Sequence, residues 1–396
     1  MRGSYVEATA AKPTSLVRET GTPLISRLGL VLGDEGILLL NSGIRMGNGA
    51  RLVKGFRGLF LLILLTCFRR LPLSRRLWTR SLGDAGKYWH IVCPEVTSFV
   101  LDFLNQGHFD TMFNYTYIVL NPKCDSAENM SHFRPISLCN ITYNIAFKML
   151  SNRLKPILPT IISESQSAFI LGRLITDNVL VAYELNHYLA HKTWGSVGHA
   201  ALKLDLSKAY DRVEWIFLER VLAKLGFSLQ FISLVHACVS SVSYSFILNG
   251  HKFWYLHPHR GLRQGDPLSS YLFLFCAEAL SSTITRAINR GELRGVAVSR
   301  QGPRVSHLLF ADDNLMFCQA SPDAMRSMRQ ILRDFEATSG LMVNLEKSSV
   351  AFSRNIPDEH KTELANILEI QVVAKHEKYL GLPALVGDPR ERFFRS

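Results

Sequence analysis

Apolar residues recur along this chain with two different periods, and each period predicts a different element. Several stretches repeat apolar residues every three or four positions, which is typical of amphipathic helices; they are residues 141–161, 179–189, 215–225, 268–288 and the segment after Ser321. Other stretches alternate or cluster apolar residues as strands do; they are residues 117–123, 241–248, 252–256 and 306–317. The chain is therefore expected to contain both helices and strands.

Short polar signals mark the ends of several of these elements. Ser321-Pro322 is a helix start, with serine as the cap and proline in the first turn. Gly226 and Gly340 are expected to end helices in a left-handed conformation. Asn249-Gly250 predicts a tight hairpin turn. The helix after Ser321 carries a stripe that we interpret as core rather than a cofactor site: Met325, Met328, Leu332 and Phe335.

A pair of adjacent carboxylates interrupts the apolar stretch 306–317. Apolar residues run up to Phe310, Asp312 and Asp313 follow, and apolar residues resume at Leu315. The pattern predicts a hairpin with both acids at its tip. Taken alone, the two acids fit a solvated turn, since aspartate favours turns through its own local hydrogen bonds.

A third carboxylate, upstream of the hairpin, changes that interpretation. Asp205 alternates with Leu202, Leu204 and Leu206, which places a charge at the end of a half-buried strand. A charged group in such a place needs a partner. A divalent cation shared with the hairpin acids would provide one, because carboxylates are ligands that hard cations prefer.

The net charge is less informative than it first looks. The formal charge of +12 suggests a polyanionic partner. However, residues 1–80 contain 13 basic and 4 acidic residues, whereas the rest of the chain contains 32 and 29. The bulk charge therefore does not by itself indicate nucleic acid binding in the larger part of the chain.

The seven cysteines are scattered and form no CxxC pair. They signal neither a zinc site nor a disulfide framework. We interpret them as reduced intracellular thiols that mostly fill core space.

Residues 1–80 form a basic leader that shows no sustained period. The uncharged run 58–68 is too short for a membrane span, which needs about 20 residues, and too far from Met1 for a signal peptide. Three interpretations stay open: a buried core segment, a leader that is disordered, and a segment that is not a natural part of the domain.

Five boxes in the rest of the chain resemble the reverse transcriptase of plant LINE-type (non-LTR) retrotransposons. They occur in the family's order and at family-like spacing, in residues 132–138, 201–211, 260–269, 306–317 and 379–383. The resemblance covers roughly residues 87–383. It implies an α+β fold, the palm and fingers of a right-hand polymerase, with an antiparallel palm sheet backed by helices.

The resemblance also implies a domain organisation. Residues 87–385 would form fingers and palm, and residues 386–396 the truncated start of a thumb or tail. A Gly/Pro-rich loop usual in the family before Lys87, an upstream endonuclease and a full thumb are not found in the sequence.

The catalytic roles are carried over box by box. The resemblance implies that Asp205 and Asp312 bridge two Mg²⁺ ions, for which Mn²⁺ can substitute, and that Asp313 is a nearby ligand or a further charge. Tyr210 would exclude the ribose 2′-hydroxyl by its bulk, and Asp211 is expected to be structural, as an N-terminal helix cap.

Further boxes imply contacts with nucleotide, template and primer. The nucleotide-binding residues would be Lys123 and Arg134 at the phosphates, Arg263 close to the phosphates, Gln264 and Gly265 under the base, and Lys347 as a general acid for the leaving pyrophosphate. The template and primer residues would be Gly172, Arg173, Tyr379, Leu380 and Gly381. Taken singly, Lys123 and Arg134 also fit ordinary surface cations, and Gln264 fits a turn residue.

Three functions stay open at this point. The first is an RNA-directed DNA polymerase that uses an RNA template, a DNA primer and deoxynucleoside triphosphates. The second is a catalytically inactive relic with a palm-like fold, and the third, less favoured, is an intron maturase. The resemblance implies a nuclear location, and no stable membrane partner is expected.

Overall fold

The structure is a computed structural model that describes residues 30–33, 36–39, 89–107 and 111–383. The chain divides into two units, residues 1–71 and residues 72–396. In the first unit, strands β1 (Leu30–Gly33) and β2 (Gly36–Leu39) pair antiparallel. The other expectations for the leader, including the run 58–68, and those for residues 386–396 lie outside the described residues.

The second unit mixes helices and strands, as the two periods predict. Its described helices are α1 (Trp89–Gln106), α2 (Ile141–Leu154), α3 (Leu158–Ile161), α4 (Ile175–His191), α5 (Ala209–Arg212), α6 (Trp215–Lys224), α7 (Leu229–Ser240), α8 (Ser269–Asn289), α9 (Pro322–Ser339) and α10 (Asp358–Leu368). Its described strands are β3 (Tyr115–Pro122), β4 (Phe133–Leu138), β5 (His199–Leu204), β6 (Ser243–Leu248), β7 (His251–Leu256), β8 (His307–Phe310), β9 (Asp313–Gln319), β10 (Ser349–Phe352), β11 (Gln371–Val372), β12 (Lys378–Tyr379) and β13 (Leu382–Pro383).

Five of these strands form a central sheet in the order β11-β10-β5-β9-β8. The pairs β10–β5, β5–β9 and β9–β8 are antiparallel, and β10–β11 is parallel. Helix α4 packs on this sheet through Leu185 and Leu189, which share a buried cluster with Leu315 and Phe317 of β9. One face of the sheet is therefore buried, and it packs β8 and β9 against α4.

The remaining long strands form a four-stranded sheet in the order β4-β3-β6-β7. Strands β3 and β6 are parallel, and the other two pairs are antiparallel. The predicted hairpin is confirmed: Asn249 and Gly250 both have positive φ, which is the backbone of a two-residue turn.

Helix α8 is the main core helix. It is apolar on nearly all sides, and a helix of that kind must be buried. Most of its side chains are indeed buried, among them Phe273, Phe275 and Cys276. Its length and composition alone would also suit a membrane span, but its burial inside the protein accounts for its apolar character.

Most helix boundaries follow the local signals. The hydroxyl of Ser321 accepts the N–H of Ala324, and Gly340 ends α9 with φ +75°. Gly226, with φ +87°, follows α6. The helical pattern that begins at Ile141 is expected to stop at Pro156, and α2 ends at Leu154, with the separate short helix α3 after it.

Candidate catalytic site

The three predicted acids lie at the same end of neighbouring strands. Ala311 and Asp312 form the turn between β8 and β9, and Asp313 is the first residue of β9, paired with Phe310. Asp205 directly follows Leu204, the last residue of β5, whose partner on β9 is Asn314, next to Asp313. The antiparallel ladder therefore brings Asp205 and the hairpin acids together, as the sequence predicts.

The turn that presents Asp312 has an uncommon backbone conformation. Ala311 has φ +54°, in the left-handed region where side chains other than glycine are rare. Asn314 is buried, and its side-chain amide donates to the Asp312 carbonyl at 2.9 Å. The turn thus needs support from outside the hairpin.

That support comes from residues 165–168, which run along β8. The N–H of Leu309 donates to the Ser165 carbonyl (2.7 Å), and the N–H of Ser167 donates to the Leu309 carbonyl (3.1 Å). Between them, Gln166 is fully buried, and its side-chain oxygen accepts the N–H of Ala168 (2.9 Å) and of Ala311 (3.2 Å). Gln166 therefore directly holds the turn that presents Asp312.

Asn178 of α4 completes this support. Its side-chain amide donates to the Leu309 carbonyl at 2.9 Å, and its oxygen accepts the hydroxyl of Ser167 at 2.7 Å. Neither Gln166 nor Asn178 is predicted from the sequence as part of the site. The one available signal was a run of polar residues inside a block that otherwise resembled a template contact.

Asp205 is held by a different loop, residues 344–348. The N–H of Asp205 donates to the Ser348 hydroxyl (3.1 Å), and the N–H of Asn344 donates to the Asp205 carbonyl (2.8 Å). Lys347 is an exposed residue of this loop. The candidate general acid is therefore on the segment that fixes Asp205.

The acids influence one another electrostatically. Desolvation by neighbouring protein atoms raises the pKa of Asp313, and the negative charges of Asp312 and Asp205 raise it further, whereas Lys203 lowers it. The ammonium group of Lys203 donates to the Lys378 carbonyl at 2.7 Å. The negative charge of the three aspartates is thus only partly neutralised by the nearby Lys203.

A divalent cation fits this donor set, since carboxylates in excess of nearby cations are what Mg²⁺ and Mn²⁺ bind. Within the described ranges, no three or more His, Cys, Asp or Glu side chains are already grouped as a metal cluster.

Tyr210 lies beside this acidic end of the sheet. Its ring stacks on Phe273 of α8 with centroids 4.9 Å apart and planes 14° from parallel. Burial raises the pKa of Tyr210, a hydrogen bond with Ser270 lowers it, and the charge of Asp312 raises it again. The ring is therefore in the electrostatic neighbourhood of Asp312, at a fixed orientation.

Asp211 lies in α5 itself, and the residue that caps this helix is Lys208. The expectation that Asp211 is the cap is wrong. Burial raises the pKa of Asp211, and the charges of Lys208, Arg212 and Lys123 lower it. The interaction with Lys123 places the end of β3 near the strand-to-helix turn that carries Tyr210.

The two cations predicted at the phosphates differ in whether the charged group already donates a hydrogen bond within the protein. Lys123 is exposed, and its ammonium group donates to the Ser131 carbonyl at 2.8 Å. Arg134 is exposed on β4, opposite Asn121 of β3. Arg134 is thus the cation whose guanidinium is open to an incoming anion.

The loop with Gln264 and Gly265 lies against the free edge of β4. The Gln264 carbonyl accepts the N–H of Ser137 at 2.9 Å. Gly265 has φ +103°, and a Cβ there would come within 3.2 Å of the Ser137 carbonyl oxygen. Glycine is required at this position because the two backbones approach closely.

Arg263 lies in the core rather than near the phosphates, contrary to the sequence expectation. Its guanidinium pairs with Asp266 at 3.0 Å and donates to the Asn114 side chain at 2.5 Å. It also lies over the ring of Tyr143, 4.1 Å from the centroid. Both charged side chains are almost fully buried, so the guanidinium already has its partners within the protein.

Of the residues predicted to contact template and primer, some are exposed and others already contact the protein. Gly172 is exposed with φ +82° and open space around it. The guanidinium of Arg173 donates to three backbone carbonyls, those of Ile162, Ser163 and Gln166. Arg173 thus stabilises the segment that carries Gln166, which is a role the sequence did not predict.

Tyr379 is buried in the cluster between α4 and the central sheet. Burial also raises the pKa of its hydroxyl. Leu380 and Gly381, both with positive φ, form the turn between β12 and β13. The part of this box that reaches the surface is therefore the turn, while the tyrosine anchors it.

Sequence comparisons agree with this geometry. A family model described as reverse transcriptase (RNA-dependent DNA polymerase) matches residues 121–384. The Transposon TX1 uncharacterized 149 kDa protein of Xenopus laevis is 29% identical over 262 residues, which are 66% of this chain and 19% of that protein. The Retrovirus-related Pol polyprotein from type-1 retrotransposable element R2 of Popillia japonica is 26% identical over 263 residues, or 65% and 35% of the two chains.

A shorter match is an uncharacterized mitochondrial protein of Arabidopsis thaliana, 56% identical over 68 residues, which are 17% of this chain and 56% of that protein. The chain thus spans less than two thirds of each of these relatives. A solved structure of apo telomerase from Candida tropicalis, truncated from its C-terminal domain, aligns with a TM-score of 0.44 at 14% identity, covering 62% of this chain and 51% of that one. At that TM-score the assignment rests on the sequence matches.

Proposed function

This chain belongs to the reverse transcriptase family and contains a LINE-type reverse transcriptase domain of palm and fingers. On that premise, we propose that it synthesises DNA on an RNA template, at the end of the central sheet where Asp205, Asp312 and Asp313 lie. The observation that carries the proposal is that Asp205, just after β5, and Asp312 and Asp313, of the β8–β9 hairpin, lie at the same end of adjacent strands. Desolvation raises the pKa of Asp313, and the charges of Asp312 and Asp205 raise it further, which is the charge pattern of a cation site.

The reaction would be nucleotidyl transfer to a primer 3′-hydroxyl. The hydroxyl oxygen attacks the α-phosphorus of a deoxynucleoside triphosphate, a new P–O bond forms, and the bond to pyrophosphate breaks. Divalent cations, which reverse transcriptases generally use, would when bound lower the pKa of that hydroxyl and neutralise charge on the leaving oxygens. Asp205, Asp312 and Asp313 would hold them, by their donor chemistry.

Other residues would position the nucleotide. Arg134 offers two parallel N–H donors to the triphosphate, and Lys123 adds a mobile charge. Tyr210 would close the space beside the sugar, so that a 2′-hydroxyl is excluded by contact with the ring. Lys347, on the loop that fixes Asp205, would give a proton to the leaving pyrophosphate.

Primer extension by the purified full chain tests this proposal. A labelled DNA primer on an RNA template is incubated with deoxynucleotides and Mg²⁺ or Mn²⁺, alongside the Asp312→Ala variant. Extension that requires the cation and disappears in the variant supports the polymerase. A folded chain that extends nothing would instead be an inactive relic, and extension that survives in Asp312→Ala would refute the site.

The compartment is a separate proposal. A nuclear location follows from a retrotransposon origin, since the target of such an element is chromosomal DNA. Microscopy of the full chain fused to a fluorescent protein tests it, and an exclusively extranuclear signal would contradict it.

A further inference from the structure

On β3, the four-stranded sheet has one buried side and one partly exposed side. On β3, Thr116 and Ile118 are buried, whereas the alternate residues Tyr115 and Tyr117 stay partly exposed. Successive side chains of a strand point to opposite faces. The two tyrosines therefore share the partly exposed side.

A third tyrosine joins them from the edge strand β7. Tyr255 stacks on Tyr115, with centroids 6.0 Å apart and planes 18° from parallel. Tyr115 also contacts Tyr117 edge to face at 5.0 Å. Its hydroxyl donates to Ser245 at 2.6 Å, which fixes the ring. We call this surface, made of Tyr115, Tyr117 and Tyr255, the tyrosine face.

The only charged residues on the four strands, apart from a histidine, are Arg134 and Lys252. Strand register puts both on the tyrosine face: Arg134 pairs with Asn121, and Lys252 pairs with Ile247, which in turn pairs with Val119. The ammonium group of Lys252 lies 4.7 Å from the Tyr117 centroid.

The β6–β7 hairpin adds no negative charge to the tyrosine face, and the acids of the β3–β4 hairpin, Asp125 and Glu128, lie in its loop rather than on its strands. The sequence has no acidic residue between Glu219 and Asp266, a stretch that includes β6 and β7. A face with fixed aromatic rings, two cations and no acid on its strands is complementary to a polyanion with flat bases. An acidic or purely apolar protein partner would use one of these features and leave the other unmatched.

We propose that the tyrosine face binds single-stranded nucleic acid across the strands. Bases would stack on the tyrosines, and a phosphate would pair with Lys252 on one edge strand, while Arg134 on the other edge strand stays with the incoming nucleotide. Aromatic stacking combined with a basic groove is how proteins hold single strands without sequence preference, and a four-stranded sheet that presents aromatic rings is an established platform for RNA.

This inference rests on the proposed function only for the choice of ligand. The two edge strands are about 14 Å apart, from three strand spacings. A strand that crosses from Lys252 to Arg134 would therefore span the width of the sheet before it reaches the residue assigned to the incoming nucleotide. Because only unpaired bases can stack on the tyrosines, the partner is an unpaired strand rather than a duplex.

Fluorescence anisotropy with a labelled single-stranded RNA of about 15 nucleotides tests the proposal. The full chain is used without primer or nucleotides. We expect Tyr255→Ala to weaken binding about tenfold, because one stacking partner is lost. Tyr255→Phe keeps the ring and is expected to bind like the original chain.

Phe253→Ala is the matched control. Phe253 is on the same strand and 43% exposed, against 63% for Tyr255, but it pairs with Phe246 and so faces the other side. Its affinity is expected to be unchanged. Lys252→Ala is expected to reduce the slope of log affinity against log salt by about 0.7, the value for one phosphate contact of a single strand.

The proposal is overturned if Tyr255→Ala and Lys252→Ala bind the RNA as the original chain does. It is also overturned if Phe253→Ala loses as much affinity as Tyr255→Ala, because the effect would then not belong to one face. Since no catalysis is measured, an inactive chain can still pass this test, and an active polymerase can still fail it.

Discussion

The side-chain oxygen of Gln166 accepts the N–H of Ala311 at 3.2 Å, and Ala311 immediately precedes Asp312. The same oxygen accepts the N–H of Ala168 at 2.9 Å. Ala311 has a positive φ, which is unfavourable for alanine without such a partner. Gln166 therefore couples the segment beside β8 to the direction in which the hairpin presents its first acid.

Removing that acceptor should impair the site while leaving the fold in place. We predict that Gln166→Met, which keeps the length of the side chain, lowers the primer-extension rate by about tenfold and the free energy of unfolding by about 1–3 kcal/mol for the N–H groups left unpaired. Gln166→Glu retains an acceptor oxygen and should recover part of the rate. An unchanged rate in Gln166→Met would show that the turn does not depend on this contact.

Tyr210 should control the choice between deoxynucleotides and ribonucleotides. Its ring is held against Phe273 near Asp312, so a smaller side chain would open space beside the sugar. We predict that Tyr210→Val lowers the preference for deoxynucleotides by about 10- to 100-fold, measured as the ratio of kcat/KM values. Tyr210→Phe keeps the bulk and should keep the preference; if Tyr210→Val does so as well, the sugar is excluded elsewhere.

Two arginines should respond to substitution in opposite ways. Arg263 is a buried partner of Asp266, so Arg263→Met leaves a buried charge unpaired and should lower the free energy of unfolding by about 3–5 kcal/mol. Arg134 is exposed, so Arg134→Met should leave stability unchanged and raise the KM for deoxynucleotides.

Denaturation in urea and steady-state kinetics on both variants measure the contrast. If Arg263→Met is as stable as the original chain but has a raised KM for deoxynucleotides, then Arg263 binds the nucleotide phosphates after all. A normal KM in Arg134→Met would remove Arg134 from the nucleotide site.

Acid should destabilise the protein through its buried histidines. Burial lowers the pKa of His307 to about 4, from a usual value of about 6.5. The unfolded chain therefore binds a proton in this window that the folded chain does not, so stability falls as the pH drops from about 6.5 to about 4, by about 1.4 kcal/mol per pH unit for this residue. His199 is shifted in the same direction.

Urea denaturation at several pH values measures this slope. His307→Gln should make it shallower, because this variant removes the buried imidazole. Equal slopes in His307→Gln and the original chain would mean that His307 does not contribute to acid unfolding.

The features that were predicted correctly from the sequence are those that depend on local signals. The Asn249-Gly250 turn, the Ser321 cap and the end of α9 at Gly340 each depend on neighbouring residues, and each is confirmed. The meeting of Asp205 with the hairpin also followed, because two strands that end in acids can pair in few ways.

The roles that sequence reasoning missed depend on contacts between distant positions. Gln166 and Ala311 are separated by 145 residues, so nothing near either one reveals their hydrogen bond. Arg263 and Arg173 were predicted as ligand contacts from the boxes in which they lie, because an arginine in such a box gives the same sequence signal whether it faces a phosphate or buried carbonyl groups. Burial separates these cases, and burial is a property of the whole fold.

The most direct test of the account compares three isosteric variants in single-nucleotide incorporation on an RNA template with Mg²⁺. Asp312→Asn and Asp205→Asn remove a charge predicted to hold the cations, while Asp211→Asn removes a nearby charge that is not. We expect rates on the order of 10³-fold lower for the first two and a much smaller change for Asp211→Asn. Comparable rates in all three variants and the original chain would contradict the catalytic assignment.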